Sequence, residues 1–190
     1  MGIVVLAGPS GSGKSRLAAR LGWPVLRLDD FYREHHEAGM PQSSLGIIDW
    51  DHPESWDHAA AMEAIISLCR GGVADVPVYD IGLSARTGVA RLAAPDGRFV
   101  AEGLFATHII EECRKAGILD IAICVRHHRL VTFALRLSRD LREARKEPHV
   151  LVRRGWRLMR AESAIVADAV AHGCTPMTPR EAEEFLLSGI

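Results

Sequence analysis

Eight consecutive residues, Gly8-Pro9-Ser10-Gly11-Ser12-Gly13-Lys14-Ser15, constrain this chain more than any other feature. They fit the pattern G-x-x-x-x-G-K-[ST]. They also fall between an apolar run, Ile3-Val4-Val5-Leu6-Ala7, and a stretch with helical spacing from about Lys14 to Leu21. Glycines let the backbone turn tightly and aim successive N–H groups inward, and the following helix adds its positive end. Lys14 brings a mobile cation for the β- and γ-phosphates, and the Ser15 hydroxyl is suited to ligate Mg²⁺. The pattern therefore predicts a nucleotide-binding set of Gly8, Ser10, Gly11, Ser12, Gly13, Lys14 and Ser15, with ATP and Mg²⁺ as the cofactors.

The rest of the chain alternates in kind. Val25 to Leu28 is a short predicted strand ended by Asp29-Asp30, and Phe99 to Ala101 is another ended by Glu102-Gly103. Leu119 to Val125 and Thr175 to Thr178 complete the strand pattern. Helices are predicted over Ala59–Cys69, His108–Lys115, Leu130–Lys146 and about Val150 to Ala171. Residues 33–57 have no clean period and hold Gly39, Pro41, Gly46 and Pro53, so they read as a long functional loop. Thr178-Pro179-Arg180-Glu181 is a capping box opening a last helix. Strands alternating with helices predict an α/β fold: a P-loop NTPase three-layer α/β/α arrangement with a parallel sheet. With 190 residues, 48 % of them hydrophobic, one domain spanning 1–190 is expected.

Composition limits the function classes. A net charge of −1 points to neither nucleic acid nor membrane. The N-terminus has no charged region or cleavage site of a secretory signal, and no apolar run approaches the ~20 residues of a bilayer span. The four cysteines, Cys69, Cys113, Cys124 and Cys174, form no C-x-x-C pair, and no His spacing completes a zinc pattern. They read as reduced thiols in a cytoplasmic protein. His35-His36 and His127-His128 are adjacent pairs whose side chains diverge, so they are not read as metal sites. Trp50 and Trp56 are read as loop packing.

Charge is unevenly spread. From Arg126 to Arg160 there are eleven Lys or Arg and three Asp or Glu, a local balance of +8; the overall −1 leaves −9 for the remainder. Arg136, Arg139, Arg142 and Arg145 recur every three residues. Residues 126–160 are read as a basic helical lid that closes over ATP, with arginines neutralising the charge that develops in transfer. No aromatic residues interleave with the stripe as stacking platforms, which argues against nucleic acid. Ligands of doubly wound sheets sit beyond the carboxyl ends of the strands. Asp29 or Asp30 is thus placed to accept a hydroxyl proton, and Glu102 to hold Mg²⁺ through water.

Together these pieces resemble the uridine kinase branch of the phosphoribulokinase/uridine kinase group. The matching segments are Gly8–Ser15, Leu28-Asp-Asp-Phe-Tyr-Arg33, Asp49-Trp-Asp-His-Pro53 with Asp57, Val76-Pro-Val-Tyr-Asp80, Val100-Ala-Glu-Gly103 and Arg136-Leu-Ser-Arg-Asp140. The resemblance implies that Asp29 activates a nucleoside 5′-hydroxyl. It implies that Tyr32 and Asp51 hold the sugar, that Tyr79 lines the base pocket, and that Glu102 is the Mg²⁺-linked acid. Arg136 and Arg139 match lid arginines and join Asp29 and Lys14 as catalytic residues. Ser84 stands where members that read a pyrimidine usually carry a His, and the loop from His35 to Ile48 departs from the common form.

The expected function is ATP-dependent phosphorylation of a small-molecule hydroxyl, the 5′-hydroxyl of uridine or cytidine by the resemblance. The alternatives are a kinase of the same fold for a non-nucleoside alcohol, and a nucleotide-dependent regulatory or RNA-associated P-loop protein. The expected partner is a small alcohol acceptor, with no membrane, no nucleic acid and room for an oligomer.

Overall fold

The computed structural model describes residues 2–126 and 163–189, and the fold follows from how apolar runs find cover. The strand β1 (Ile3–Ala7) is buried along its whole length, as a strand flanked by helices on both faces must be. It runs into the phosphate-type loop and then α1 (Lys14–Leu21). After β2 (Val25–Arg27) the chain tightens into a 3₁₀ turn over Leu28–Phe31. A second 3₁₀ turn, Pro53–Ser55, precedes α2 (His58–Gly71), whose N-terminus is capped by Asp57 accepting from Ala60 N at 3.0 Å. Gly72 ends α2 in the left-handed conformation, so the predicted stop at Gly71-Gly72 is present.

Next come β3 (Val73–Asp80) and β4 (Ala85–Ala93), an antiparallel pair that forms its own two-stranded sheet. The sequence reading assigned no element here. Pro77 inside β3 demotes the strand signal, and most of β4 is exposed, so it shows no buried run. β5 (Phe99–Glu102), a 3₁₀ turn (Ala106–Ile109), α3 (Ile110–Lys115) and β6 (Leu119–Val125) follow. Residues 163–171 form α4, β7 spans Thr175–Met177, and α5 spans Pro179–Leu187. The predicted capping box opens α5, with Thr178 N donating to Glu181 and Glu181 N to Thr178 Oγ1.

The main sheet has the order β2-β5-β1-β6-β7, and every neighbouring pair is parallel. Odd residues of β1 (Ile3, Val5, Ala7) pack with Ile65 and Leu68 of α2 and Ile110 and Cys113 of α3. Even residues (Val4, Leu6) pack with Leu17 and Leu21 of α1 and Leu186 of α5. This two-sided burial, at about 1.5–3 kcal/mol for each large apolar side chain, makes the three-layer α/β/α arrangement that the sequence predicts. The order places β1 between β5 and β6, and the tips of β1, β2 and β5 converge at one edge. The predicted lid, residues 126–160, lies outside the described residues apart from Arg126, and so do Arg136 and Arg139.

Candidate active site

A cavity of about 840 Å³ opens over the carboxyl ends of β1, β2 and β5. One end is walled by Gly8, Ser10, Gly11, Gly13, Lys14 and Ser15, with Arg16 beside them. The other end is walled by Asp29, Tyr32, Trp50, Asp51 and Tyr79, by Ile81 and Ser84 of the β3–β4 turn, and by Gly103 and Leu104. Glu102 also lines the cavity.

At the first end, Gly8 has φ +127°, and a Cβ there would collide with the Val125 carbonyl of β6. The loop therefore packs directly against the neighbouring strand. Lys14 Nζ folds back to donate to the carbonyls of Gly8 at 2.8 Å and Pro9 at 3.2 Å, closing the loop on itself. Six of the seven residues predicted to hold the nucleotide line the cavity. Ser12 does not: it is fully buried, and its N–H donates to Pro9 O at 3.1 Å in the turn. The Ser15 hydroxyl donates to Glu102 Oε1 at 3.0 Å, joining α1 to the tip of β5.

At the second end the adjacent carboxylates part. Asp29 lines the cavity, and its Oδ1 accepts from Leu104 N at 2.8 Å. Asp30 turns away to Arg27, 3.8 Å distant, and accepts from the Tyr79 main chain. Burial raises the Asp30 carboxyl above its ordinary range, while Arg27 opposes the rise. Of the two acids left open by the sequence, Asp29 alone faces the cavity. A Cβ on Gly103 would sit 2.7 Å from Asp29 Oδ1 and 2.8 Å from Leu28 Cβ, so only glycine permits this approach.

Aromatic rings gather around Tyr32. Trp50 meets it edge-on at 5.7 Å, Tyr79 at 5.8 Å and Phe105 at 5.8 Å. Burial, then the charges of Asp29 and Asp51, push the Tyr32 phenol above its usual range, so it stays a protonated donor. Tyr79 OH donates to Arg33 O at 3.2 Å, and burial raises its phenol too. Trp56 is packing, as expected: its Nε1 donates to Leu28 O at 2.7 Å and its ring stacks on Phe105. Trp50 is different, because the structure sets it on the cavity wall. Sequence reasoning also missed Arg16, Ile81, Gly103 and Leu104 as wall residues. Only Arg16 and the Gly103-Leu104 pair carried a signal, through direct adjacency to Ser15 and Glu102.

A parallel sheet whose first strand enters a G-x-x-x-x-G-K-S loop, facing an acidic strand tip across one cavity, defines the phosphate-loop kinase class. Comparison with known proteins narrows this. The model of the phosphoribulokinase / uridine kinase family matches residues 3–150, and the chain belongs to that family of ATP-dependent kinases. It is 26 % identical over 146 residues to a uridine kinase of Bacillus pumilus, covering 74 % of this chain and 68 % of the relative. It is 26 % identical over 152 residues to a uridine kinase of Tolumonas auensis, covering 74 % and 69 %. In fold it resembles a protein described as a fructose transport system kinase from Silicibacter sp. TM1040 (TM-score 0.56, 19 % identity, 94 % of this chain and 87 % of that one). It also resembles the phosphoribulokinase of Rhodobacter spheroides (TM-score 0.53, 15 % identity, 90 % and 67 %). Among the described residues no helix is long and apolar enough to cross a membrane.

Proposed function

We propose that the chain transfers the γ-phosphoryl group of ATP to a primary hydroxyl of a small neutral alcohol, a pyrimidine nucleoside being the favoured acceptor. One observation carries this reading: the phosphate loop and the Asp29 carboxylate open onto the same cavity. The acceptor hydroxyl lies against Asp29, which takes its proton as the oxygen attacks the γ-phosphorus. The bond to the β–γ bridging oxygen breaks, and ADP departs. Leu104 N–H and the crowding at Gly103 fix the carboxylate in place. Asp51 and Tyr32 hold the sugar, and Tyr79 with Trp50 forms an aromatic wall for the base. The uridine kinase names of the relatives support the nucleoside.

Ser15 and Glu102 supply two hard oxygens 3.0 Å apart. No cluster of three or more His, Cys, Asp or Glu able to hold a metal occurs among the described residues. Such a sparse oxygen set suits Mg²⁺, which keeps waters and substrate phosphates as its other ligands. When bound, Mg²⁺ offsets the charge of the β- and γ-phosphates. Arg136 and Arg139, on a closing segment at 126–160 of a single kinase domain, complete the neutralisation in this reading.

A second acceptor class, a non-nucleoside alcohol, is favoured by Ser84, which offers only a short hydroxyl at the β3–β4 turn. The test is ADP release from ATP with uridine, cytidine, other nucleosides and small alcohols in turn. Stimulation by uridine or cytidine is expected; stimulation only by a sugar-like alcohol would transfer the reading to the second class. No stimulation by any acceptor would defeat it.

A further inference from the structure

Arg16 directly follows the phosphate-loop Ser15 and lines the same cavity. Its side chain is exposed and makes no hydrogen bond or ion pair among the described residues. The first turn of α1 contains no acidic residue, yet holds both Lys14 and Arg16. Two cations at the positive end of a helix oppose its dipole. Lys14 is partly compensated by the Gly8 and Pro9 carbonyls. Among the described residues Arg16 has no such compensation. The opposite end of α1 shows the ordinary arrangement: Arg20 lies in the last turn and pairs with Glu183 at 2.6 Å.

From this contrast we infer that Arg16 is a second cationic contact to the polyphosphate tail of the donor nucleotide, beside Lys14. The inference rests on the kinase reading of the cavity and adds a donor-binding residue to it. A guanidinium presents forked N–H donors that match phosphate oxygens. Its charge is unfavourable in the ligand-free protein and becomes favourable once the anion is bound. Arg16 thus acts on donor affinity and not on the acceptor.

The experiment is calorimetric binding of Mg·ADP and Mg·ATP, without acceptor, to the wild type and to Arg16→Gln, Arg16→Lys, Arg20→Gln and Lys14→Ala. Arg16→Gln is expected to raise Kd roughly five- to twentyfold, to weaken its salt dependence, and to raise KM for ATP with kcat little changed. Arg16→Lys should recover part of the loss. The ligand-free Tm of Arg16→Gln should rise by about 1–3 °C, which loss of a merely structural arginine would not produce. Arg20→Gln removes the same charge from the same helix outside the cavity, and its Kd should stay within about twofold of wild type. A Kd unchanged in Arg16→Gln but lost in Lys14→Ala overturns this inference alone. A Kd unchanged in Lys14→Ala overturns the phosphate-loop reading and this inference with it.

Discussion

Asp29 Oδ1 accepts a hydrogen bond of 2.8 Å from the Leu104 main-chain N–H, so the end of β2 is tied to the end of β5 by the carboxylate that faces the cavity. One oxygen is committed to holding position. In the proposed reaction the other receives the acceptor proton.

Asp29→Asn therefore tests chemistry and geometry separately. Asparagine keeps an oxygen that can accept from Leu104 but cannot take up a hydroxyl proton. ATP binding should stay nearly intact while kcat falls by ~10² or more. Steady-state kinetics with a calorimetric Kd checks this, and unchanged turnover would reject Asp29 as the base.

Gly103→Ala should act on the same group from behind. The added methyl would lie 2.7 Å from Asp29 Oδ1 and 2.8 Å from Leu28 Cβ, so the carboxylate must move. A loss of kcat of about tenfold or more is expected, with destabilisation of about 1–3 kcal/mol. Urea unfolding and acceptor kinetics measured together would show both.

Glu102→Gln keeps an oxygen for the Ser15 hydroxyl but removes the charge. The Mg²⁺ concentration for half-maximal turnover should rise about tenfold or more, with Kd for metal-free ADP nearly unchanged. A Mg²⁺ titration of activity decides it.

His108 gives a pH dependence of stability unrelated to catalysis. Burial, then repulsion from His172 and His58, lowers its pKa below the ordinary value, with Asp168 opposing. His58 faces Glu112 at 3.3 Å, His172 faces Asp168 at 3.6 Å, and Phe105 meets the His108 ring at 5.5 Å. A depressed His pKa means that the folded form favours neutral imidazole. Above about pH 6.5 both states are neutral and nothing is lost. As pH falls below that value the unfolded chain takes up the proton first, so stability drops. His108→Gln should flatten the fall in urea midpoint between about pH 6.5 and 5.

The phosphate loop was legible because it is covalently local: strand, glycines, lysine and helix follow one another in sequence. The acidic strand tips were legible for the same reason. The choice between Asp29 and Asp30 was not, since it depends on a 3₁₀ turn that sends successive side chains about 120° apart. Trp50 reaches the wall only because the loop folds back over Tyr32, a long-range contact that leaves no periodic trace. The β3–β4 pair escaped notice because Pro77 interrupts the strand pattern and the two strands satisfy each other rather than the main sheet. Of the predicted basic lid, all but Arg126 fall outside the described residues.

That β3–β4 pair is fastened to its surroundings by Tyr79 OH to Arg33 O, His35 N and Nδ1 to Ser84 O, and Arg86 to Asp57, and by Ala74, Val76 and Leu92 packing against the core. The phosphate-type loop leads out of β1, which belongs to a different sheet. On the proposed reading, part of the acceptor wall (Tyr79, Ile81 and Ser84) thus stands on a different piece of chain from the phosphate loop. Re-cutting the turn from Asp80 to Ala85 would, on that reading, reshape one side of the acceptor wall without altering the loop that meets the donor.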